Sequence, residues 1–210
     1  MHDGTEPGPG RAAIDQLPLT GEPLPLDLVN TTYIRGGLRG HLVDALDAPG
    51  ALDAWLDDHR AAFSPALAEV LGERRPAGPE HLPAFLTLRR ALRALATAHV
   101  GGGAPPPEHT ATVNAAARLA VQWPELVPGP GWEAVPRWLE SDPLRVALGE
   151  VAASAVSLFS GGHAGLLRAC GAPGCVLFFV KSHARRAWCT AGCGNRVRVA
   201  RHNRRSRASG

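Results

Sequence analysis

Four cysteines, the only ones in a chain of 210 residues, fall between positions 170 and 193. They stand as two close pairs, Cys170-x4-Cys175 and Cys189-x3-Cys193, with thirteen residues between the pairs. Each pair can turn back on itself and offer two thiolates from one side, which suits a tetrahedral zinc ion. Gly171, Gly174 and Gly194 flank three of the cysteines, where tight turns form. Arg168, Lys181, Arg185, Arg186 and Arg196 would favour thiolates and offset the double negative charge of a zinc tetrathiolate. Four thiolates leave no open coordination position and no Asp or Glu stands nearby as a base, so the centre reads as structural. His163, His183 and His202 are not needed as ligands. Other uses of four cysteines stay open on spacing alone. Disulfides are disfavoured in a reducing cytoplasm, whereas an iron–sulfur centre takes the same ligand type.

Charge is distributed as unevenly as the cysteines. From Val151 to Gly210 there are ten Lys and Arg and no Asp or Glu, leaving residues 1–150 with 22 − 10 = 12 basic against all 19 acidic residues. A strongly basic end on an acidic body points to a polyanionic partner for that end. After Cys193 the sequence has no proline, and a helix is predicted to start near Asn195. On it Arg198, Arg201, His202 and Arg205 form one stripe, while Arg196, Ala200, Arg204 and Arg207 lie around another side. Guanidinium groups so arranged can follow a phosphate strand and grip guanine edges in the major groove. Arg185, Arg186, Arg196, Arg198, Arg201, Arg204 and Arg205 are the candidate nucleic-acid contacts, with double-stranded DNA as the partner. Trp188, Phe178 and Phe179 could stack on bases, but a mini-domain this small needs its aromatics for a core.

The elements that must position these groups are mostly helical. Residues 1–23 carry Gly, Pro and scattered charge without apolar periodicity and read as a flexible leader. Residues 24–162 read as a helical domain, with helices from about Ala51 to Leu71, Glu80 to His99, and His109 to Leu119. A short β-hairpin turns around Pro128-Gly129-Pro130-Gly131. Asp142 caps a further helix, Pro143 occupies its first turn and Gly161-Gly162 ends it. Residues 163–210 form the zinc unit. The fold class is therefore mainly α (α+β), with no cysteine before Cys170, and the body is expected to fold without the finger.

Asp27, Asn30, Thr31 and Arg35 form the one dense polar group beside an apolar run. They suit either a small polar ligand or capping and buried hydrogen bonding. A composition of 45% hydrophobic and 20% charged residues is that of a globular protein. No run of about 18 apolar residues and no signal-peptide layout occurs, so a cytoplasmic location is expected. The Gly101–Gly103 run lacks the Lys-Ser/Thr ending of a phosphate loop, and no Ser-His-Asp or G-x-S-x-G pattern appears, so an enzyme is not expected. A hydrolase would need carboxylates or histidines converging within residues 24–160. An RNA-binding or protein-interaction module using the same zinc unit is the nearer rival to DNA binding.

At Trp188-Cys189-Thr190-Ala191-Gly192-Cys193-Gly194-Asn195-Arg196 the sequence resembles the CGNR zinc-finger family, named for the four residues Cys193 to Arg196. Cys170-Gly171-Ala172-Pro173-Gly174-Cys175 and Phe178-Phe179 are similar to the first half of that finger. Leu26-Asp27-Leu28-Val29-Asn30-Thr31 and Leu52-Asp53-Ala54-Trp55-Leu56 resemble the ABATE domain that precedes the finger in bacterial proteins. The resemblance implies a stress-responsive transcriptional regulator with one structural zinc ion on Cys170, Cys175, Cys189 and Cys193. It also implies an N-terminal domain that senses a small-molecule effector or makes a homodimer. Two positions depart from the family: Lys181 stands where an Asp is common, and Arg198 where a Lys is.

Overall fold

The computed structural model describes residues 9–129 and 131–208. Its elements, in order, are α1 (Pro9–Ile14), α2 (Leu24–Val29), β1 (Thr32–Arg35), β2 (His41–Asp44), α3 (Pro49–Asp58), α4 (Pro65–Gly72) and α5 (His81–Val100). There follow α6 (Pro107–Ala117), β3 (Gln122–Val127), β4 (Glu133–Trp138), α7 (Pro143–Ser160), β5 (Leu167–Ala169), β6 (Phe178–Val180) and α8 (Ala191–Ala208). The class is mainly helical, with three separate antiparallel hairpins: β1–β2, β3–β4 and β5–β6.

The long helices α5 and α7 form the centre because each carries an apolar stripe at helical spacing. Phe85, Leu88, Leu92 and Ala96 of α5 are buried, as are Leu144, Leu148, Val151, Ala155 and Leu158 of α7. Asp142 caps α7 by accepting from the Leu144 amide at 2.9 Å, with Pro143 in the first turn. His81, at the start of α5, bonds the same carboxylate at 2.7 Å and so fixes the two central helices to each other. Among the described residues α7 is the one helix long and apolar enough to cross a membrane, and half of it is buried in this core.

The sequence predicts one helix from Ala51 to Leu71, but the chain makes two. Pro65 sits in the first turn of α4, and Ser64 before it is driven into extended backbone, φ −56° and ψ 145°. The break is anchored where the Ser64 amide donates to Glu150 of α7 at 2.9 Å.

The leader reading also needs correction. Residues 1–8 lie outside the described residues, but residues 9–23 pack onto the body. Ile14 is buried, and α1 lies so close to α3 that a Cβ on Gly10 would stand 2.6 Å from the Ala51 amide nitrogen. Arg11 bridges to Asp58 at 2.7 Å. Six residues of helix are too few to show periodicity, which is why the sequence hid α1.

Helix α2 is buried on every side, so its one charge must be satisfied inside. Asp27 accepts from the amides of Gly21 at 2.9 Å and Glu22 at 3.1 Å, and from His59 at 3.2 Å. The other ring nitrogen of His59 donates to the Trp55 carbonyl at 2.8 Å. The ring is thus hydrogen-bonded at both nitrogens. Burial opposes a charge on the ring, yet the bonds to Asp27 and Trp55 outweigh it and raise the His59 pKa.

The C-terminal unit is not an appendage. Asn30 reaches across to β6, donating to the Phe178 carbonyl at 2.9 Å and accepting the Phe178 amide at 3.0 Å. One side chain thus does the work of a neighbouring strand. Arg93 of α5 donates to the carbonyls of Val29, Thr32 and Val176, the last at 3.0 Å. Glu22, almost fully buried, accepts the Val180 amide at 2.8 Å and pairs with Arg186. Leu167, Leu177, Phe178 and Phe179 consequently belong to the same core as the helices.

Candidate metal centre and nucleic-acid interface

The two cysteine pairs are delivered by different devices. Cys170 follows β5 and is fixed by its amide, which donates to the Leu177 carbonyl at 2.9 Å. Cys175 closes a turn on the Ala172 carbonyl at 3.1 Å. Gly174 in that turn has φ +67°, and a Cβ there would stand 2.6 Å from the Gly37 carbonyl carbon, so only glycine fits. Cys189 precedes α8 and Cys193 lies in its first turn, where the Thr190 hydroxyl accepts the Cys193 amide at 3.3 Å. Helix α8 thus begins at Ala191, ahead of the expected Asn195, and the metal pair sits at the root of the basic helix.

The four sulfurs lie within 4.8 Å of one another, with Cys175–Cys189 at 3.7 Å and Cys189–Cys193 at 3.3 Å. A tetrahedron with Zn–S bonds of about 2.3 Å has edges of about 3.8 Å. The donor set fits that ion in number, size and softness. Thiols packed this closely do not ionise alike. Hydrogen bonds from Cys175 and Cys189 hold Cys170 far below the usual thiol range. The bond to Cys170, with burial, pushes Cys175 up, and the bonds to Cys170 and Cys175, with burial, do the same to Cys189. One thiolate thus forms readily at Cys170 and its charge resists ionisation of Cys175 and Cys189, an imbalance that a central cation would relieve.

The surrounding residues serve the centre rather than solvent. Arg196 donates to the Cys193 sulfur at 2.9 Å. Its stem crosses to the β1–β2 turn, where a Cβ on Gly37 would meet Arg196 Cδ at 3.2 Å. Arg186 pairs with Glu22, donates to the carbonyls of Val180 at 3.0 Å and Cys189 at 3.3 Å, and covers the Phe179 ring at 4.9 Å. Trp188 seats its indole against Gly194, where a Cβ would come within 2.9 Å of it, and its other edge reaches toward Gly171, where a Cβ would lie 3.8 Å away. Its role, like that of buried Phe178 and Phe179, is packing.

The seven candidate nucleic-acid contacts therefore separate. Arg186 and Arg196 are spent inside the unit, a correction to their sequence reading, since their partners Glu22 and Cys193 hold them there. Arg185, Arg198, Arg201 and Arg205 are exposed, as is His202 of the stripe. The side chain of Arg204 lies outside the described residues, as does that of Arg207. Val197 is buried and ties α8 down while the next turns project outward.

The polar group near the start of the body is occupied internally, against its reading as a ligand site. Asp27 holds His59 and the Gly21–Glu22 backbone, and Asn30 holds Phe178. The Thr31 hydroxyl donates to Leu28 at 2.7 Å and accepts from Arg89 at 2.9 Å. Arg35 is exposed and donates to the Tyr33 hydroxyl at 2.8 Å. What the sequence reading missed is the β1–β2 turn, which rests on Gly174 and Arg196 of the finger and presents Arg35, Arg39 and His41. Its signal was a stretch free of acid between Asp27 and Asp44 in an otherwise acidic domain.

Two family models match the chain. Residues 22–162 match the ABATE family, described as "Putative stress-induced transcription regulator", and residues 167–206 match the CGNR zinc finger. Among curated proteins none matches. The four cysteines form a site able to bind one zinc ion.

Proposed function

The chain belongs to the ABATE family and carries a CGNR zinc finger, and on that footing we propose that it is a transcription regulator that binds double-stranded DNA through α8. The observation that carries this reading is the basic stripe of Arg198, Arg201, His202 and Arg205, rooted in the cysteine cluster at Cys193. The metal gives a short helix the fixed direction it needs to enter a major groove. Arg39 and Arg35 on the β1–β2 turn add cations beside the finger and suit flanking phosphates. Base stacking on single-stranded RNA loses its support, because Trp188, Phe178 and Phe179 are taken up by packing. The zinc has a structural role, and no catalytic step is assigned to it.

Duplex titrations over a range of salt test the proposal. Arg198→Ala, Arg201→Ala and Arg205→Ala are each expected to lower the log–log salt slope by about 0.9 where the side chain meets a phosphate. A residue that grips a guanine edge is expected instead to cost about 1–3 kcal/mol on the preferred site and to relax preference at one base pair. Three variants with wild-type affinity, slope and preference would contradict the reading.

A homodimer has a candidate surface in the β3–β4 hairpin. Register puts Pro124, Leu126, Ala134 and Pro136 on one face, and the Glu125–Arg137 pair, 3.3 Å apart, on the other. Leu126 is 60% exposed and Trp132 in the turn 86%. Pro124 and Pro136 stand opposite each other, so both edges lack a donor midway and resist strand addition. A partner must meet the face. That face has no charge to complement, the hairpin's charges Glu125, Glu133 and Arg137 lying on the reverse side, so a second copy of the same face suits it. Sedimentation at micromolar concentration is expected to show a dimer that Leu126→Glu dissociates. A wild-type monomer, or a dimer indifferent to that change, would exclude this surface.

A further inference from the structure

We infer that a cavity between α5, α6 and α7 is a binding site for a small, uncharged aromatic molecule bearing a hydroxyl or N–H donor. The cavity measures about 290 Å³, and its walls are Leu95, Val113, Val156 and Phe159. That volume lies near the lower end of ordinary ligand sites, roughly 300–1,000 Å³, and suits one or two fused rings. None of the residues around it carries a carboxylate, ammonium or guanidinium group, so a charged ligand would enter without a counter-charge.

The polar groups in the wall specify the ligand's own polar group. His99 bonds the Ala164 carbonyl at 2.7 Å through Nε2. A carbonyl only accepts, so Nε2 holds the hydrogen and Nδ1 of the neutral ring is left as an acceptor. The Thr110 hydroxyl donates to Pro106 at 3.1 Å and the Ser160 hydroxyl to Val156 at 2.7 Å, which leaves both oxygens with lone pairs alone. Beside these three acceptors stands the Asn114 carboxamide, which both accepts and donates, so the walls complement an apolar molecule whose one polar group is a hydroxyl or N–H donor. The His99 and Phe159 rings, 6.1 Å apart and tilted by 56°, offer an edge-and-face seat for its ring.

The same histidine joins the cavity to the finger. Ala164 opens the short turn that runs into β5 and on to Cys170, so a ligand engaging His99 acts on the bond that steadies the route to the first metal ligand. This regulatory half rests on the reading of the chain as a DNA-binding regulator, and the binding half does not.

The test uses the zinc-loaded full chain and 1-naphthol, followed by calorimetry and by the fluorescence of the probe. Saturable binding of one molecule per chain is expected, with naphthalene, which lacks the donor, at least about tenfold weaker. His99→Phe is expected to keep the ring packing and remove most of that discrimination. Val156→Trp fills the mouth, where the valine is 41% exposed, and is expected to abolish binding. Asn114→Trp, on the facing helix, checks the same point should the first variant fold poorly. Absence of saturation, equal affinity for naphthalene, or binding that survives both tryptophans would overturn the site. Occupancy is further expected to change duplex affinity. Naphthol binding with unchanged duplex affinity overturns the coupling, whereas naphthol binding in a chain that binds no duplex supports the cavity and counts against the DNA reading.

Discussion

Cys189→Ser is expected to remove the zinc and unfold the C-terminal unit. Three thiolates cannot close a tetrahedral shell, and structural zinc sites contribute about 10–16 kcal/mol of apparent binding free energy near neutral pH. That figure matches or exceeds the roughly 5–15 kcal/mol by which a whole domain is stable. The hairpin β5–β6 shares the core of the body, but the cysteine turns and α8 have little else to hold them, since α8 is anchored at its root by the cysteines and Val197. Metal analysis should find one zinc per wild-type chain and almost none in the variant, with loss of helical signal from α8. A variant that keeps stoichiometric zinc, or a wild-type chain that holds iron with a visible absorption band, would refute the assignment.

A chain ended after Gly162 is expected to be unstable, contrary to the self-sufficient body that its apolar periodicity suggests. The cut removes Phe178, so Asn30 is left buried with neither of its bonds, at about 1–3 kcal/mol for each orphaned group. It takes Val176 from Arg93 and both Val180 and Arg186 from buried Glu22. It also strips the packing of Leu167, Leu177, Phe178 and Phe179, worth about 1.5–3 kcal/mol apiece when fully buried. The sum, on the order of 10 kcal/mol, is comparable with the whole stability of a domain. Chemical denaturation should show no cooperative transition, or one far below that of the full chain. An unchanged midpoint would mean that the body stands alone and the shared core contributes little.

These two expectations mark how much was legible in the sequence. The metal centre was, because its ligands are close in the chain and of a type used for little else. Helix α7 was as well, with cap, first-turn proline and terminal glycine all local. The hairpin at Pro128–Gly131 announced itself through turn residues, although Pro130 lies outside the described residues. The Ser64–Pro65 break was signalled by a proline that an apolar stripe running through it obscured. What could not be read were contacts between distant positions. Nothing near Arg186 reveals that Glu22 neutralises it, and nothing near Asn30 reveals a strand 148 residues on. The same blindness made Arg186 and Arg196 resemble free cations and hid Arg39 beside the finger. Charge counts locate a basic surface, whereas tertiary pairing decides which of its members face outward.

The most direct test of the central claim compares the wild-type chain with one in which residues 198–207 are shuffled, leaving Val197 and every cysteine in place. The shuffle keeps the charge and disperses the stripe of Arg198, Arg201, His202 and Arg205. Duplexes selected from a random pool by the wild-type chain, titrated at two salt concentrations, supply the measurement. The expected result is a consensus site that the shuffled chain binds at least about tenfold more weakly, with its preference over unselected duplex lost. Equal affinity and equal preference for the two chains would reduce α8 to a non-specific polycation and contradict the claim that a zinc-fixed helix reads DNA.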